Sequence, residues 1–262
     1  MNDYSAPLGS DMDTEFDRLK QTWYQLGKDD PLWAVLSCDA KRGGKWNPDD
    51  FLATGEVDVG LFHRLAKTHG GAPDALGEVM DFGSGAGRLC LAWSRRARQV
   101  TGVDISASMI EKAKALTASA KNIQFVLNER SDLSVFPDQR FDLVASYICL
   151  QHIPWSIAAN YVREFGRICR PGGIVIFQLP TRVVHPNHLS DLRKFIVDHL
   201  PFGWGAAYRR WRHGTAAVFE MHFTPAEEVV AVAKTSGLRE VHREPNTSGG
   251  VGTDGFIYVF KK

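Results

Sequence analysis

An excess of charge of one sign is missing from this chain. Thirty-one Lys and Arg are matched by 30 Asp and Glu, leaving a formal net charge of +1. The total therefore points neither to a basic nucleic-acid coat nor to an acidic tail, although a local patch can hide under a neutral sum. Cysteine is scarce: Cys38, Cys90, Cys149 and Cys169 lie far apart, and no C-x-x-C pair occurs. The expectation is four reduced thiols in a cytoplasmic protein. A leader pattern is lacking as well. The opening residues, MNDYSAPLGSDMDTEFDR, are acidic and polar, with no positive or apolar region, so they are not read as a signal peptide. Without a secretory signal, the glycosylation pattern at Asn246-Thr247-Ser248 carries little meaning. Long apolar runs are also missing. Leu143 to Val162 holds no Asp, Glu, Lys or Arg, but Ser146, Gln151, His152, Pro154, Ser156 and Asn160 interrupt it. It reads as a buried strand, a loop and a helix start, not as a membrane span. No internal repeat is present.

The chain does have an ordinary globular balance, 44% hydrophobic and 23% charged over 262 residues. That is enough for a full α/β core without disulfide or metal staples. To about residue 72 the pattern is helical. Phe16, Leu19, Trp23 and Leu26 recur at helical spacing, with Asp13 or Thr14 available as a cap. Trp23, Trp33 and Trp46 read as core staples of these helices. Asn47-Pro48-Asp49-Asp50 has the chemistry of a helix start, and Phe51, Leu61, Phe62 and Leu65 should lie on that helix.

From about residue 77 short apolar runs alternate with helical stretches. Strands are predicted at 78–82, 99–104, 123–127, 141–146 and 174–177. Between them, helices run through Leu89, Leu91 and Trp93, from a capping box at Ser108-Met109-Ile110-Glu111, and over 157–169 up to Arg170-Pro171-Gly172-Gly173. Such alternation argues for a mostly parallel sheet covered on both faces. Residues 181–222 break the rhythm with a basic, aromatic and histidine-rich segment. Thr224-Pro225-Ala226-Glu227 then caps a helix ending near Gly237, and strands follow at 238–243 and 255–260.

The most informative stretch is Asp81-Phe82-Gly83-Ser84-Gly85-Ala86-Gly87-Arg88. Glycines at 83, 85 and 87 let the backbone turn sharply and approach a ligand without Cβ clashes. The turn joins a strand to a helix N-terminus at the carboxyl end of the sheet, where open α/β sheets bind ligands. Asp104 ends the next strand, where a carboxylate can accept both hydroxyls of a ribose. The dinucleotide pattern is G-x-G-x-x-G; here it is G-x-G-x-G, with Asp81 in front. A carboxylate there repels a pyrophosphate and suits an ammonium.

Asp81 to Gly87 resembles motif I of the class I S-adenosylmethionine (SAM)-dependent methyltransferases. Val103-Asp104 resembles the acidic end of their second strand. Asn128-Glu129-Arg130-Ser131-Asp132-Leu133 is similar to their adenine-binding segment. Phe141-Asp142-Leu143-Val144 with Leu150-Gln151-His152 resembles the fourth strand and its loop, and Arg170-Pro171-Gly172-Gly173 the turn before the fifth. The resemblance covers residues 75–180 in register and 222–262 more loosely. It implies a Rossmann-like fold: a seven-stranded, mostly parallel sheet with an antiparallel last strand, N-terminal helices (1–72), a SAM-binding core (73–180), a helical lid insertion (181–222) and a C-terminal completion (223–262). It implies SAM as cofactor and S-adenosylhomocysteine (SAH) as product. Gly83, Ser84, Gly85 and Gly87 would lie against the methionine portion and ribose. Asp81 would sit near the ammonium, Arg88 near the carboxylate, and Asp104 on the ribose diol. Ile105 and Met109 would pack on adenine, and Glu129 and Arg130 would meet its polar edge. Ser146 joins this cofactor set; Gln151 is assigned to the acceptor side, and Tyr147 either lines the acceptor pocket or lies in the core.

The candidate general base is His152, after the fourth strand, since a neutral imidazole can take a proton near pH 7. The alternative is a packed histidine that fixes the loop ahead of Pro154. Tyr208, Arg209 and Arg212 belong to a basic aromatic cluster that either grips an anionic acceptor or forms a solvated helix face. His185 and His188 lack companion ligands, so no metal is expected. The predicted reaction is methyl transfer to a small-molecule acceptor through O, N or C, such as a natural-product, lipid or sugar intermediate, with no nucleic-acid or membrane partner. A homo-oligomer is left open. Two rivals remain: an NAD(P)-dependent oxidoreductase, and a methyltransferase-like SAM-binding regulator without turnover.

Overall fold

The computed structural model describes residues 10–183, 220–250 and 252–262. The N-terminal part is helical, as its periodicity predicts. Helix α1 spans Ser10–Asp29, α2 Pro31–Val35 and α3 Pro48–Leu65. The start of α1 differs from the expected one: the helix already runs from Ser10, so Asp13 and Thr14 lie inside it rather than capping it. At α3 the predicted cap forms. Asn47 Oδ1 accepts the backbone N–H groups of Asp49 (2.9 Å) and Asp50 (3.1 Å), and Pro48 opens the helix with no N–H to leave unpaired.

Strand β1 covers Leu76–Phe82, β2 Ala97–Asp104, β3 Ile123–Leu127, β4 Phe141–Ser146, β5 Cys169–Val183, β6 Arg239–Asn246 and β7 Thr253–Lys261. Helix α4 spans Arg88–Ser94, α5 Ala107–Leu116, α6 Trp155–Ile168 and α7 Ala226–Thr235. The seven strands form one sheet in the order β3-β2-β1-β4-β5-β7-β6. The first five pair in parallel, and β7 runs antiparallel to both its neighbours. This is the predicted α/β architecture, with β5 longer than expected at its C-terminal end. The Arg170–Gly173 turn sits within β5, as a register shift between the pairs Phe141–Cys169 and Leu143–Ile174.

Two further cap assignments are corrected. Helix α5 is capped by Ser106, whose Oγ accepts the Met109 N–H at 3.3 Å; Ser108 lies inside the helix and donates to the Tyr24 carbonyl at 2.8 Å. Helix α7 has Pro225 at its cap position and no side-chain cap hydrogen bond. Glu227 and Glu228 in its first turn favour the positive helix end instead.

Alternate residues of the strands feed apolar cores on opposite faces. Met80, Val144, Phe177 and Phe260 pack with Phe165 and Val229 of α6 and α7. Val79, Leu143, Ile176 and Val259 pack with Phe62 of α3 and Trp93 of α4. Burial on both faces is why these strands read as near-continuous apolar runs. The strand order reverses between β1 and β4, so the loops that follow these two strands flank a crevice at their carboxyl ends.

Candidate functional site

That crevice holds a cavity of about 810 Å³, counting its solvent-open part. Its floor is the glycine turn after β1. Gly83, Gly85 and Gly87 all have positive φ (74°, 49° and 85°). Gly83 and Ser84 donate their N–H groups to the Val103 carbonyl at 2.8 and 3.0 Å, which ties the turn to β2. A Cβ on Gly83 would lie 2.1 Å from Cys149 Sγ, and one on Gly85 would lie 2.7 Å from Val35 Cγ2, so neither position has room for a side chain. Gly87 has another role. A Cβ there would meet Thr117, Ala113 and Phe125 at 3.0–3.3 Å, so this glycine lets the start of α4 close against α5 and β3.

Asp104 ends β2 at the cavity edge. Its Oδ2 accepts the Gly85 N–H at 2.7 Å and its Oδ1 the Ser106 N–H at 2.9 Å. With the Ile105 N–H these make three backbone donors for about four acceptor positions, so acceptor capacity remains. Burial pushes its pKa up to about 6 against these backbone donors. Asp81 is fully buried. The Cys90 thiol donates to its Oδ2 at 3.2 Å, while Oδ1 has no partner, and burial pushes this carboxyl too up to about 6. Arg88, the first residue of α4, is 2% exposed. Its Nη1 pairs with Asp58 and reaches Thr54 Oγ1 at 3.3 Å; its guanidinium stands 5.8 Å from the Tyr147 ring centre; its Nη2 has no partner. Ser84 Oγ is a third buried polar atom without a partner. Ser84 and Arg88 line the cavity, while Asp81 lies outside its lining, so a donor and a hydroxyl here are open to a polar ligand.

The remaining walls are mostly apolar. Leu19 and Trp23 of α1 and Ala34 and Val35 of α2 cover the turn, and Ile105, Ile148, Ile153 and Tyr161 complete the enclosure. Trp23 therefore lines the cavity, where the sequence reads as a core staple. The other two tryptophans keep a packing role: Trp33 is buried beneath the Arg42 guanidinium at 4.1 Å, and Trp46 donates to the Leu36 carbonyl at 3.2 Å.

Several of the predicted site residues lie elsewhere. Glu129 is exposed and pairs with Lys20, and Arg130 is exposed with its carbonyl accepting from Tyr161 Oη at 2.6 Å. It is Asn128 that lines the cavity, held by Nδ2 donation to the carbonyls of Arg130 (3.0 Å) and Asp132 (2.8 Å). Met109 is buried with Leu26 and Ala34, behind the cavity wall and not part of its lining. Ser146 is buried and donates to the Phe82 carbonyl at 3.0 Å, which ties β4 to β1. Tyr147 lines the cavity; its hydroxyl donates to Ser248 Oγ at 2.7 Å. Tyr208, Arg209 and Arg212 lie outside the described residues, as do His185 and His188.

His152 is not placed to act as a base in this cavity. It lines a separate small recess with Glu15, Arg18, Thr22, Glu220 and His222. Its Nδ1 lies 2.8 Å from the Glu220 carbonyl, which can only accept, so Nδ1 carries the proton. Its Nε2 lone pair is then taken by the Gln151 amide at 3.2 Å. Burial, aided by His222, lowers its pKa to about 3. The ring packs edge-on against Trp23 with centres 5.3 Å apart. His152 thus ties the loop after β4 to α1 and to the chain returning at residue 220. Gln151 is buried beside it and is also outside the cavity lining.

Sequence reasoning missed Asn128, Ile148, Cys149 and Tyr161. Ile148 has φ +49°, a left-handed conformation that a β-branched residue rarely adopts, and it sits at the tip of the loop after β4. Cys149 presses its Sγ against Gly83, and burial with the Asp104 and Asp81 charges raises its thiol pKa, so it stays protonated. Among the described residues no cluster of His, Cys, Asp and Glu has the arrangement of a metal site.

Comparison with known proteins agrees with this geometry. A family model described as a methyltransferase domain matches residues 79–173, from β1 to the turn within β5. The demethylmenaquinone methyltransferase of Tropheryma whipplei is 33% identical over 119 residues, 44% of this chain and 48% of that protein, so the match spans about half of that relative. The demethylmenaquinone methyltransferase of Staphylococcus aureus is 32% identical over 178 residues, 66% of this chain and 72% of that one. Magnesium protoporphyrin IX methyltransferase from Synechocystis, solved with bound SAH, shares the fold with a TM-score of 0.63 at 16% identity, covering 95% of this chain and 99% of its own. Glycine cradle, strand-end carboxylate, sheet order and the S. aureus relative converge: the chain belongs to the class I SAM-dependent methyltransferases.

Proposed function

We propose that this chain binds SAM in the cavity above the glycine turn and directs its methyl group to a small-molecule acceptor. The observation that carries the reading is the trio of buried, unpartnered atoms Asp81 Oδ1, Ser84 Oγ and Arg88 Nη2. An acceptor, a hydroxyl and a cationic donor around one turn complement the ammonium and carboxylate of an amino acid. A dinucleotide has neither group there, and its pyrophosphate would be repelled by Asp81.

When bound, SAM supplies a methyl group made electrophilic by its sulfonium sulfur. Toward it, Asp104 would accept from the ribose hydroxyls through its remaining acceptor capacity, Asn128 and Ile105 would meet the adenine, and Arg88 the carboxylate. Leu19, Trp23 and Val35 exclude water from the turn, which strengthens each of these polar contacts. The chain's contribution to rate is then alignment and water exclusion, without a base from His152. Tyr147 would border the acceptor. On sequence grounds residues 1–72 and 181–222 are both assigned to a lid over the cofactor's methyl end. No helix among the described residues is long and apolar enough to cross a membrane. On sequence grounds the reading is a cytoplasmic enzyme acting on a small molecule. The relatives named demethylmenaquinone methyltransferase make demethylmenaquinone the first acceptor to try.

The test is calorimetric titration of the purified chain with SAH and, in parallel, with NADH. Binding of SAH alone is expected. Binding of NADH alone would overturn the functional reading and return the chain to the oxidoreductases.

A further inference from the structure

Arg88 is positioned from outside the core domain. Thr54 and Asp58 lie four residues apart on one face of α3, and both hold Arg88 Nη1. Between them, a Cβ on Gly55 would lie 2.2 Å from the Arg88 carbonyl oxygen, so α3 seats directly on the first residue of α4. An arginine side chain 2% exposed, with one terminal nitrogen paired and the other without a partner, is oriented by its one ion pair. A planar guanidinium held at Nη1 presents Nη2 in a fixed direction, as carboxylate recognition needs.

Resting on the function proposed above, we infer that Asp58 is a positioning residue. It fixes Arg88 so that Nη2 receives the carboxylate of the cofactor's methionine portion, and it thereby makes α3 the source of selectivity for SAM and SAH over nucleosides lacking that group. Asp58 touches no ligand itself. Its carboxylate pairs the buried arginine, and Thr54 limits rotation about the Nη1 contact. Removing Asp58 leaves the guanidinium free to turn toward Asp81, which already senses its charge.

The experiment compares SAH with 5′-methylthioadenosine, which keeps the adenosine and sulfur but has no amino-acid group. Binding of both is measured by calorimetry for the full chain, for Asp58→Leu and for Asp58→Asn. The wild type should prefer SAH. Asp58→Leu should reduce that preference about tenfold or more, by weakening SAH alone, with methylthioadenosine changed less than about twofold. Asp58→Asn keeps an oxygen acceptor for Nη1 and should recover part of the preference. In an Arg88→Gln background, Asp58→Asn should have no further effect on SAH. Equal weakening of both ligands, or an unchanged preference in both Asp58 variants, would overturn the role of Asp58 and leave the cofactor reading standing. A wild-type chain that binds methylthioadenosine no more weakly than SAH would overturn it too. A wild-type chain that binds neither would remove the reading on which it rests. If Asp58→Leu fails to fold, the Asn variant and the Arg88→Gln cycle decide alone.

Discussion

Asp104 Oδ2 accepts the backbone N–H of Gly85 at 2.7 Å, so the carboxylate at the end of β2 holds the middle of the glycine turn after β1. One side chain thus shapes the floor of the site and, in the function proposed, would also accept from the ribose hydroxyls. Asp104→Ala loses both functions. SAH affinity should fall on the order of a hundredfold, the equivalent of about two charge-assisted hydrogen bonds. Asp104→Asn keeps one acceptor oxygen and should fall less. Calorimetry with both variants, alongside thermal melting to show that each is folded, checks this.

Asp81 and Asp104 both have folded pKa values raised to about 6 by burial. For each, the protonated form suits the ligand-free fold. Their contribution to stability is therefore present below the ordinary carboxyl range and is lost as pH rises through about 6. A bound ammonium at Asp81, or hydroxyls donating to Asp104, favours the ionised form. SAH should then bind more weakly below pH 6, by up to about tenfold per pH unit for each carboxyl that must lose its proton. Titrations at pH 5, 6 and 7.5 in buffers of different ionisation enthalpy should show proton release near pH 6. Asp104→Asn should remove its share of that release.

His152 is held neutral, with a pKa lowered to about 3. The unfolded chain would protonate this residue near its ordinary value, so its stabilising effect is complete above about pH 6.5 and is lost progressively as pH falls toward 3. His152→Phe removes two buried hydrogen bonds and should lower stability by about 1–3 kcal/mol at pH 7.5. The gap to wild type should narrow at pH 5.5. SAH affinity should change only a few-fold, and once an acceptor is found, the pH profile of turnover between 6 and 9 should keep its shape. Melting curves at the two pH values test the first part. A lost basic limb in the variant's profile would restore His152 as a base.

Much of the sheet was legible because burial on both faces writes each central strand as a compact apolar run. Phe141–Ser146 matches its predicted limits for that reason, and the half-buried edge strand Ile123–Leu127 matches through its β-branched and aromatic residues. The glycine turn and Asp104 were legible because their backbone demands leave a residue signature. What escaped depends on the third dimension. Trp23 carries the same helical spacing as Phe16, yet α1 lies across the cavity, and periodicity cannot say whether a helix's apolar face meets core or ligand. Asn128 and Glu129 are adjacent at the end of β3, and a choice between neighbours is settled by which way the chain turns after Leu127. Asp58 lies far from the motif it serves and looks like one more charge on a helix. Ser108 satisfies the pattern of a capping box, but its hydroxyl is drawn to α1, and the cap falls to Ser106.

Gly83 offers the sharpest steric test of the turn. Its φ of +74° disfavours any side chain, and a Cβ would stand 2.1 Å from Cys149 Sγ and 2.5 Å from Cys149 Cβ. Gly83→Ala should therefore cost about 1–2 kcal/mol of backbone strain before the clash is counted. Relief of the clash requires the loop that carries Ile148 and Cys149 to move, and that loop lines the cavity. SAH binding should fall with stability rather than independently of it. Cys149→Gly alone opens space at the turn and should leave the fold intact with a modest loss of packing. Combined with Gly83→Ala, it should restore part of the stability and part of the affinity, because the steric conflict disappears while the left-handed strain stays. Melting and SAH titration of the two single variants and the double variant form a complete cycle. Strict additivity would mean that Cys149 does not press on the glycine turn in solution.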